Sequence, residues 1–255
     1  MPVLVTGATG CIGRELIPRL LGAGGQVRVY VRRDVPELRT LGVKVAIGDA
    51  DHEGRLESAL EQVHTLIHLI GGPIPDKGVT VDWLNRDSTA VALRAAENAE
   101  VRRILFLSPL GADPASDNEY LAAKGRAEEA IEASKLEYAI FRCAPVVGEG
   151  SALTGLLERG APARVRATKM TPISAADVAD ALLAADTRDT GVRGRWELGG
   201  PDIVTVDELA GATKAGLISR PARELVDLYS RDAIADTREA VAAFGLRLTR
   251  VATTG

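Results

Sequence analysis

The chain of 255 residues carries a net charge of −4 and is 46% hydrophobic, 26% charged and 4% aromatic. That balance suits one compact α/β domain with a small appendage, and it excludes a disordered chain or a nucleic-acid binder that relies on a basic surface. Two distant cysteines, no charged-then-apolar leader and no apolar run near the ~18 residues needed to span a bilayer predict a cytoplasmic protein without disulfides, membrane or nucleic-acid partner.

The first stretch is also the most informative. Val3-Leu4-Val5-Thr6 is an apolar strand that runs into Gly7, Gly10 and Gly13, and a helical pattern follows at Leu16, Ile17, Leu20 and Leu21. In a strand–turn–helix of this kind one glycine permits the bend, one lets backbone approach a pyrophosphate, and one lets the helix lie close to the strand. The unpaired N–H groups and dipole of the first helical turn favour an anion there. The candidate cradle is therefore Gly7, Thr9, Gly10, Cys11, Ile12 and Gly13.

Strands and helices then alternate, which predicts an α/β fold with a doubly wound parallel sheet. Strands are expected at Val27–Val31, Val43–Ile47, Thr65–Ile70, Ile104–Leu107 and Tyr138–Arg142, with helices at Arg55–Leu60, about Val81–Ala99 and Glu119–Ser134. The second strand ends in Arg32-Arg33, where an NAD-selective fold would place a carboxylate for the ribose 2′-OH. Two guanidiniums suit a 2′-phosphate instead, so NADP(H) is expected over NAD(H). Asp49 and Ala50 close the third strand, and Ile70 and Gly71 close the fourth, all at the carboxyl edge where such sheets bind ligands.

Tyr120 and Lys124 are four residues apart on one helix face, so phenol and ammonium can address one spot. A cation beside a phenol lowers its pKa and makes it a proton donor to a carbonyl oxygen. Ser108, ending the fifth strand, can hydrogen-bond the same oxygen.

Beyond Pro145 the alternation stops. Helices are expected from the capping residues Ser174 and Thr205, with a short strand at Arg195–Leu198 and an Ala- and Arg-rich helical remainder. This predicts residues 1–145 as the dinucleotide-binding core and 146–255 as a small mixed substrate-side lobe that partly returns to the core. Asn85 reads equally as a cap or as a bridge to neighbouring backbone. Trp83 and Trp196 suit a cleft or a core, and Arg102-Arg103 reads as a solvated turn. His64 and His68 have no cysteine or third histidine beside them, so no metal site is expected.

Thr-Gly-Ala-Thr-Gly-x-Ile-Gly, Ser108 and Tyr-x-x-x-Lys together resemble the extended and atypical short-chain dehydrogenase/reductases. Ser-Pro-Leu-Gly-Ala-Asp at 108–113, Arg142 with Pro145–Gly148, Ile173–Ala181 and Trp196–Pro201 narrow the resemblance to the atypical branch. That branch contains NmrA-like regulators and the NAD(P)H-binding accessory subunit of respiratory complex I. The resemblance implies a Rossmann fold, with Tyr120, Lys124 and Ser108 as the catalytic set, Lys124 also on the nicotinamide ribose, Asp49 at the adenine and Gly71 at the adenine ribose. Expected is an NADP(H)-dependent reductase of a small carbonyl or quinone, monomeric or homodimeric. A cofactor-holding sensor or assembly protein and an NAD(P)-dependent epimerase are the alternatives. The tail is shorter than that usual in the sugar-nucleotide epimerases, which argues against such a substrate.

Overall fold

The computed structural model describes residues 2–189, 192–212 and 223–253. The elements run β1 (Pro2–Thr6), α1 (Cys11–Gly22), β2 (Gln26–Val31), α2 (Pro36–Thr40), β3 (Lys44–Ile47), α3 (Glu53–Leu60) and β4 (Thr65–His68). A π-helical turn at Trp83–Asp87 leads into α4 (Ser88–Asn98), then β5 (Arg103–Pro109), α5 (Glu119–Ala133) and β6 (Glu137–Cys143). Next come β7 (Val146–Val147), α6 (Ala152–Glu158), α7 (Ala163–Arg166), β8 (Lys169–Met170), β9 (Ile173–Ser174), α8 (Ala175–Asp186) and β10 (Arg193–Leu198). The chain closes with β11 (Val204–Thr205), α9 (Val206–Ala212), α10 (Arg223–Leu228) and α11 (Arg238–Phe244).

Seven strands form one parallel sheet in the order β10-β6-β5-β4-β1-β2-β3. The strand order reverses between β1 and β4, and a ligand crevice opens beyond the carboxyl ends at such a point. Both faces are covered, so the strands are apolar almost throughout. Val3, Val5, Val29, Leu105 and Phe141 pack under α1 and α8, whereas Leu4, Leu66, Ile104 and Ile140 pack under α3, α4 and α5. A third apolar cluster, including Leu153, Leu156, Val206, Leu225 and Tyr229, lies outside the sheet and holds together the elements after β7.

The chain's return to the sheet is close to what its pattern predicts. The strand expected at Arg195–Leu198 is the end of β10, which pairs in parallel with β6. Trp196 is half-buried and packs against the core there, its ring 6.2 Å from Phe141 and 5.0 Å from Phe244. Ser174 Oγ accepts from Asp177 N at 3.0 Å, and the Thr205–Glu208 pair forms a capping box, as their spacing predicts. Part of the helical remainder expected after Thr205 lies outside the described residues.

Three expectations need correction. β4 ends at His68 rather than Ile70, because Leu69 N turns to Thr6 Oγ1 (3.2 Å) and leaves the ladder. The helix expected from Val81 is wound as a π-turn where Asn85 Nδ2 takes the Val81 carbonyl (2.8 Å) and Thr89 Oγ1 takes that of Asn85 (2.7 Å). Side chains that occupy the i−4 carbonyls loosen a regular α ladder.

Arg103 is no solvated turn. It is fully buried, paired with Glu137 at 2.9 Å, and donates to the carbonyls of Ala185 (2.9 Å), Asp186 (3.2 Å) and Arg188 (3.1 Å). One guanidinium thus satisfies the end of α8 and fixes it to β5, neutralising the negative end of the helix. Arg103→Met should lower unfolding free energy by roughly 2–4 kcal/mol, since it strands several carbonyls and a carboxylate. A urea-denaturation loss under about 0.5 kcal/mol, the range of ordinary surface changes, would contradict this role.

Candidate active site

The glycine turn is built as a close approach. Gly7 has φ +66°, and a Cβ on it would stand 2.7 Å from the Leu69 carbonyl carbon. A Cβ on Gly13 would lie 2.5 Å from the Ala8 oxygen, so only glycine lets α1 lie this close to the turn. Gly10 precedes the helix and provides no side-chain cap, which leaves the N–H groups of Cys11, Ile12 and Gly13 without intrahelical partners. Arg14 is exposed and ties this turn to the lobe, with its guanidinium on the Thr9 oxygen (3.3 Å) and the Glu149 oxygen (2.6 Å).

On the other side of the crevice, buried Asn85 pins the loop after β4. Its Oδ1 accepts from Gly72 N (2.9 Å), while Nδ2 donates to the Gly72 oxygen (3.0 Å) and to Val81. The bridging alternative is therefore the observed one, and capping is not its role. This hold brings Gly71 so near Lys124 that a Cβ there would meet Nζ at 2.8 Å.

Lys124 is almost fully buried. Its Nζ donates to the Leu107 oxygen at 2.9 Å and stands 4.3 Å above the Phe106 ring, whose plane stacks on His68. Burial lowers its pKa to about 8 against the opposing pull of Glu128. Burial likewise takes His68 down to about 3, so it is neutral, with Nδ1 hydrogen-bonded to Thr6 Oγ1 at 2.9 Å.

The phenol of Tyr120 departs from expectation. Burial pushes it above its ordinary value, with the nearby Cys143 adding to the rise; the ammonium of Lys124, committed to Leu107 and Phe106, does not lower it. Ser108 Oγ is buried without a hydrogen-bond partner among the described residues, which leaves its hydroxyl available to bond a group in the cleft. Cys143, ending β6, is buried with its thiol pushed up to about 12, and it lies within electrostatic reach of both Tyr120 and Lys124.

These groups line one cleft of about 770 Å³. It brings together Gly7, Gly10, Cys11, Ile12, Gly13 and Gly71 with Ser108, Tyr120 and Lys124. Thr9, Arg32, Arg33, Asp49, Ala50 and Ile70 are not among its lining residues. Arg32 and Arg33 follow β2 exposed, and Arg32 meets Asp76 at 2.8 Å, an ion pair between the turn after β2 and the loop after β4. Asp49 is exposed too, its Oδ1 accepting from Ala50 N at 2.8 Å.

The residues suit a dinucleotide. The uncapped N–H groups of α1 match a pyrophosphate, and the unpartnered Ser108 hydroxyl and buried Lys124 ammonium match hydroxyl and carbonyl groups at the far end of the same cleft. Among the described residues no cluster of His, Cys, Asp or Glu could hold a metal ion, and no helix is long and apolar enough to cross a membrane.

Sequence reasoning missed two wall residues. Cys143 carries a signal of position only, at the carboxyl end of a central strand. Tyr229, buried at the end of α10 and lining the cleft, sits in the stretch with least pattern, and its phenol is raised by burial and by Tyr120. The Glu128–Arg142 pair (2.6 Å) adds a support: Arg142 also donates to the Ala112 oxygen at 3.0 Å and so holds the loop between Ser108 and Tyr120.

Comparison with known proteins places the chain. A family described as NAD(P)H-binding matches residues 7–188. The chain is 31% identical over 228 residues to the mitochondrial NADH dehydrogenase [ubiquinone] 1 alpha subcomplex subunit 9 of Arabidopsis thaliana, with 81% of this chain and 55% of that protein aligned. It is 33% identical over 193 residues to the ceramide reductase of Caulobacter vibrioides (71% and 60% aligned). It is 30% identical over 230 residues to the (4-alkanoyl-5-oxo-2,5-dihydrofuran-3-yl)methyl phosphate reductase of Streptomyces griseus (87% and 75% aligned). The chain thus spans little more than half the length of the first two relatives. Among solved structures, MoeE5 in complex with UDP-glucuronic acid and NAD superposes with a TM-score of 0.75 at 23% identity, covering 98% of this chain and 95% of that one. The UDP-glucose 4-epimerase of Thermus thermophilus does so with a TM-score of 0.75 at 20% identity. With the glycine turn, the sheet order and this match over most of its length, the chain belongs to the NAD(P)H-binding Rossmann family, an oxidoreductase-like group.

Proposed function

We propose that the protein is an NADP(H)-dependent reductase of a small carbonyl or quinone, and that the lobe formed by residues 146–255 holds the substrate. The observation that carries this reading is the convergence of Ser108, Tyr120 and Lys124 on one cleft with the glycine turn. A bound nicotinamide supplies hydride to an electrophilic carbon.

This chain's own groups supply the rest. Lys124 has three donors and spends one on Leu107, leaving two for ribose hydroxyls. Ser108 Oγ, satisfied by nothing else, donates to the substrate oxygen and orients it. Tyr120 delivers the proton to that oxygen. A raised phenol keeps its proton at neutral pH, and with a carbonyl substrate transfer to the alkoxide, far more basic than a phenolate, still runs downhill. Arg32 and Arg33 lie at the end of β2, where a 2′-phosphate would stand, and Asp76 holds the Arg32 guanidinium until an anion takes it.

One feature favours the rival reading of a cofactor-holding sensor or subunit: among the described residues, no charge offsets the rise that burial imposes on the Tyr120 phenol. The two readings separate on turnover.

Three outcomes are expected. Tyr120→Phe should lose about two to four orders of magnitude in NADPH oxidation with a ketone or quinone while still binding NADPH, measured at 340 nm; near-normal turnover would remove Tyr120 from the reaction. Arg32→Ala with Arg33→Ala should weaken NADPH at least about tenfold more than NADH in fluorescence titrations, and equal losses would overturn the NADP preference.

The third outcome concerns pH. Lys124 is charged below its pKa of about 8 and neutral above it, so its charge-assisted bonds weaken as pH rises. NADPH affinity should fall roughly fivefold or more between pH 7 and pH 9.5, and Lys124→Ala should flatten that dependence. An equally steep profile in the variant would assign the titration elsewhere.

A further inference from the structure

Past Tyr120 the cleft runs into the lobe, and there its lining combines two chemistries. Leu110, Ile74, Leu225, Leu228 and Tyr229 give an apolar wall. Among the lining residues are also Arg159, which closes α6, and Arg231, three residues beyond α10; both are exposed. Several other arginines of the same lobe are matched with carboxylates. Arg164 and Arg223 meet Asp227 at 2.8 and 3.5 Å, and Arg166 meets Asp207 at 3.3 Å. Arg159 and Arg231 have no carboxylate partner among the described residues, although Glu158 and Asp232 adjoin them on the same lining. Asp232 is already committed, accepting from Lys169 N at 2.8 Å.

Two guanidiniums brought to one cleft by different elements, without carboxylate partners, form a ready site for an anion. The apolar residues lining the same cleft favour hydrocarbon over a polyhydroxylated body. We infer that the substrate is amphipathic, with an apolar body against Leu225, Leu228 and Tyr229 and a phosphate or carboxylate head held by Arg159 and Arg231. The reacting carbonyl then lies at the Tyr120 end. This rests on the reading of the cleft as a substrate site, and it names the chemical class that site selects.

Calorimetric titration of the NADP⁺-loaded protein with octyl phosphate, octanoate and octanol tests it. At least one of the two anions should bind about tenfold or more tightly than octanol, and the tighter anion names the head group. Arg159→Ala with Arg231→Ala should abolish that preference while NADP⁺ affinity is kept. Octanol binding as tightly as both anions, or a preference that survives in the double variant, would overturn the inference. Because these are binding equilibria, they are read independently of turnover. A chain that never oxidises NADPH would sink the reductase and leave the anion preference standing.

Discussion

The whole cleft depends on how closely α1 approaches the carboxyl end of β1. Gly13 has no Cβ because Ala8 backbone occupies that space, and Gly7 has none because Leu69 does. The first contact sets the start of α1, with its uncapped N–H groups, at the crevice. The second presses the end of β4 against the same turn. Together with the Asn85 hold on Gly72, those two approaches bring the glycine turn, Gly71 and Lys124 to one cleft. A methyl group at either glycine would force apart elements that carry opposite walls of the site.

The other end of the cleft is held by polar groups buried at a cost. Lys124 is a cation taken out of water, supported by one carbonyl and the face of Phe106, and its lowered pKa records that cost. Ser108 retains a hydroxyl with no partner. Asn85 spends two hydrogen bonds on Gly72 in the loop after β4 and a third on the Val81 carbonyl. Buried polar groups of this kind contribute little to stability and much to geometry, a distribution expected where a ligand completes the bonding. Around them, Arg103 and the Glu128–Arg142 pair do structural service, closing α8 and holding the loop that separates Ser108 from Tyr120.

The sheet and the glycine turn were legible in the sequence because their causes are local. Apolar runs ending in glycine and one 3.6-residue pattern after Gly13 suffice to place β1, α1 and the carboxyl edge. Tyr120 and Lys124 were legible as a helix-face pair, but their electrostatics were not. Whether Lys124 acts on the phenol depends on where its Nζ is directed, and Leu107 and Phe106, from a neighbouring strand, decide that. Arg103 was misread for the same reason, since the carbonyls it bonds lie more than eighty residues along the chain. Tyr229, Arg159 and Arg231 left no pattern at all. They belong to short irregular elements whose positions are set by packing among Leu153, Leu156, Val206 and Leu225 rather than by any period in the sequence.

The most direct test of this account is the crystal structure of the protein with NADP⁺ bound. It predicts the pyrophosphate on the N–H groups that open α1, with the nicotinamide end beside Ser108 and Lys124. The reactive ring face should then look into the lobe, with the Tyr120 hydroxyl within hydrogen-bond reach of a substrate oxygen placed there, about 2.6–3.2 Å. A dinucleotide bound with its nicotinamide directed away from Tyr120, or with its pyrophosphate off the glycine turn, would contradict it.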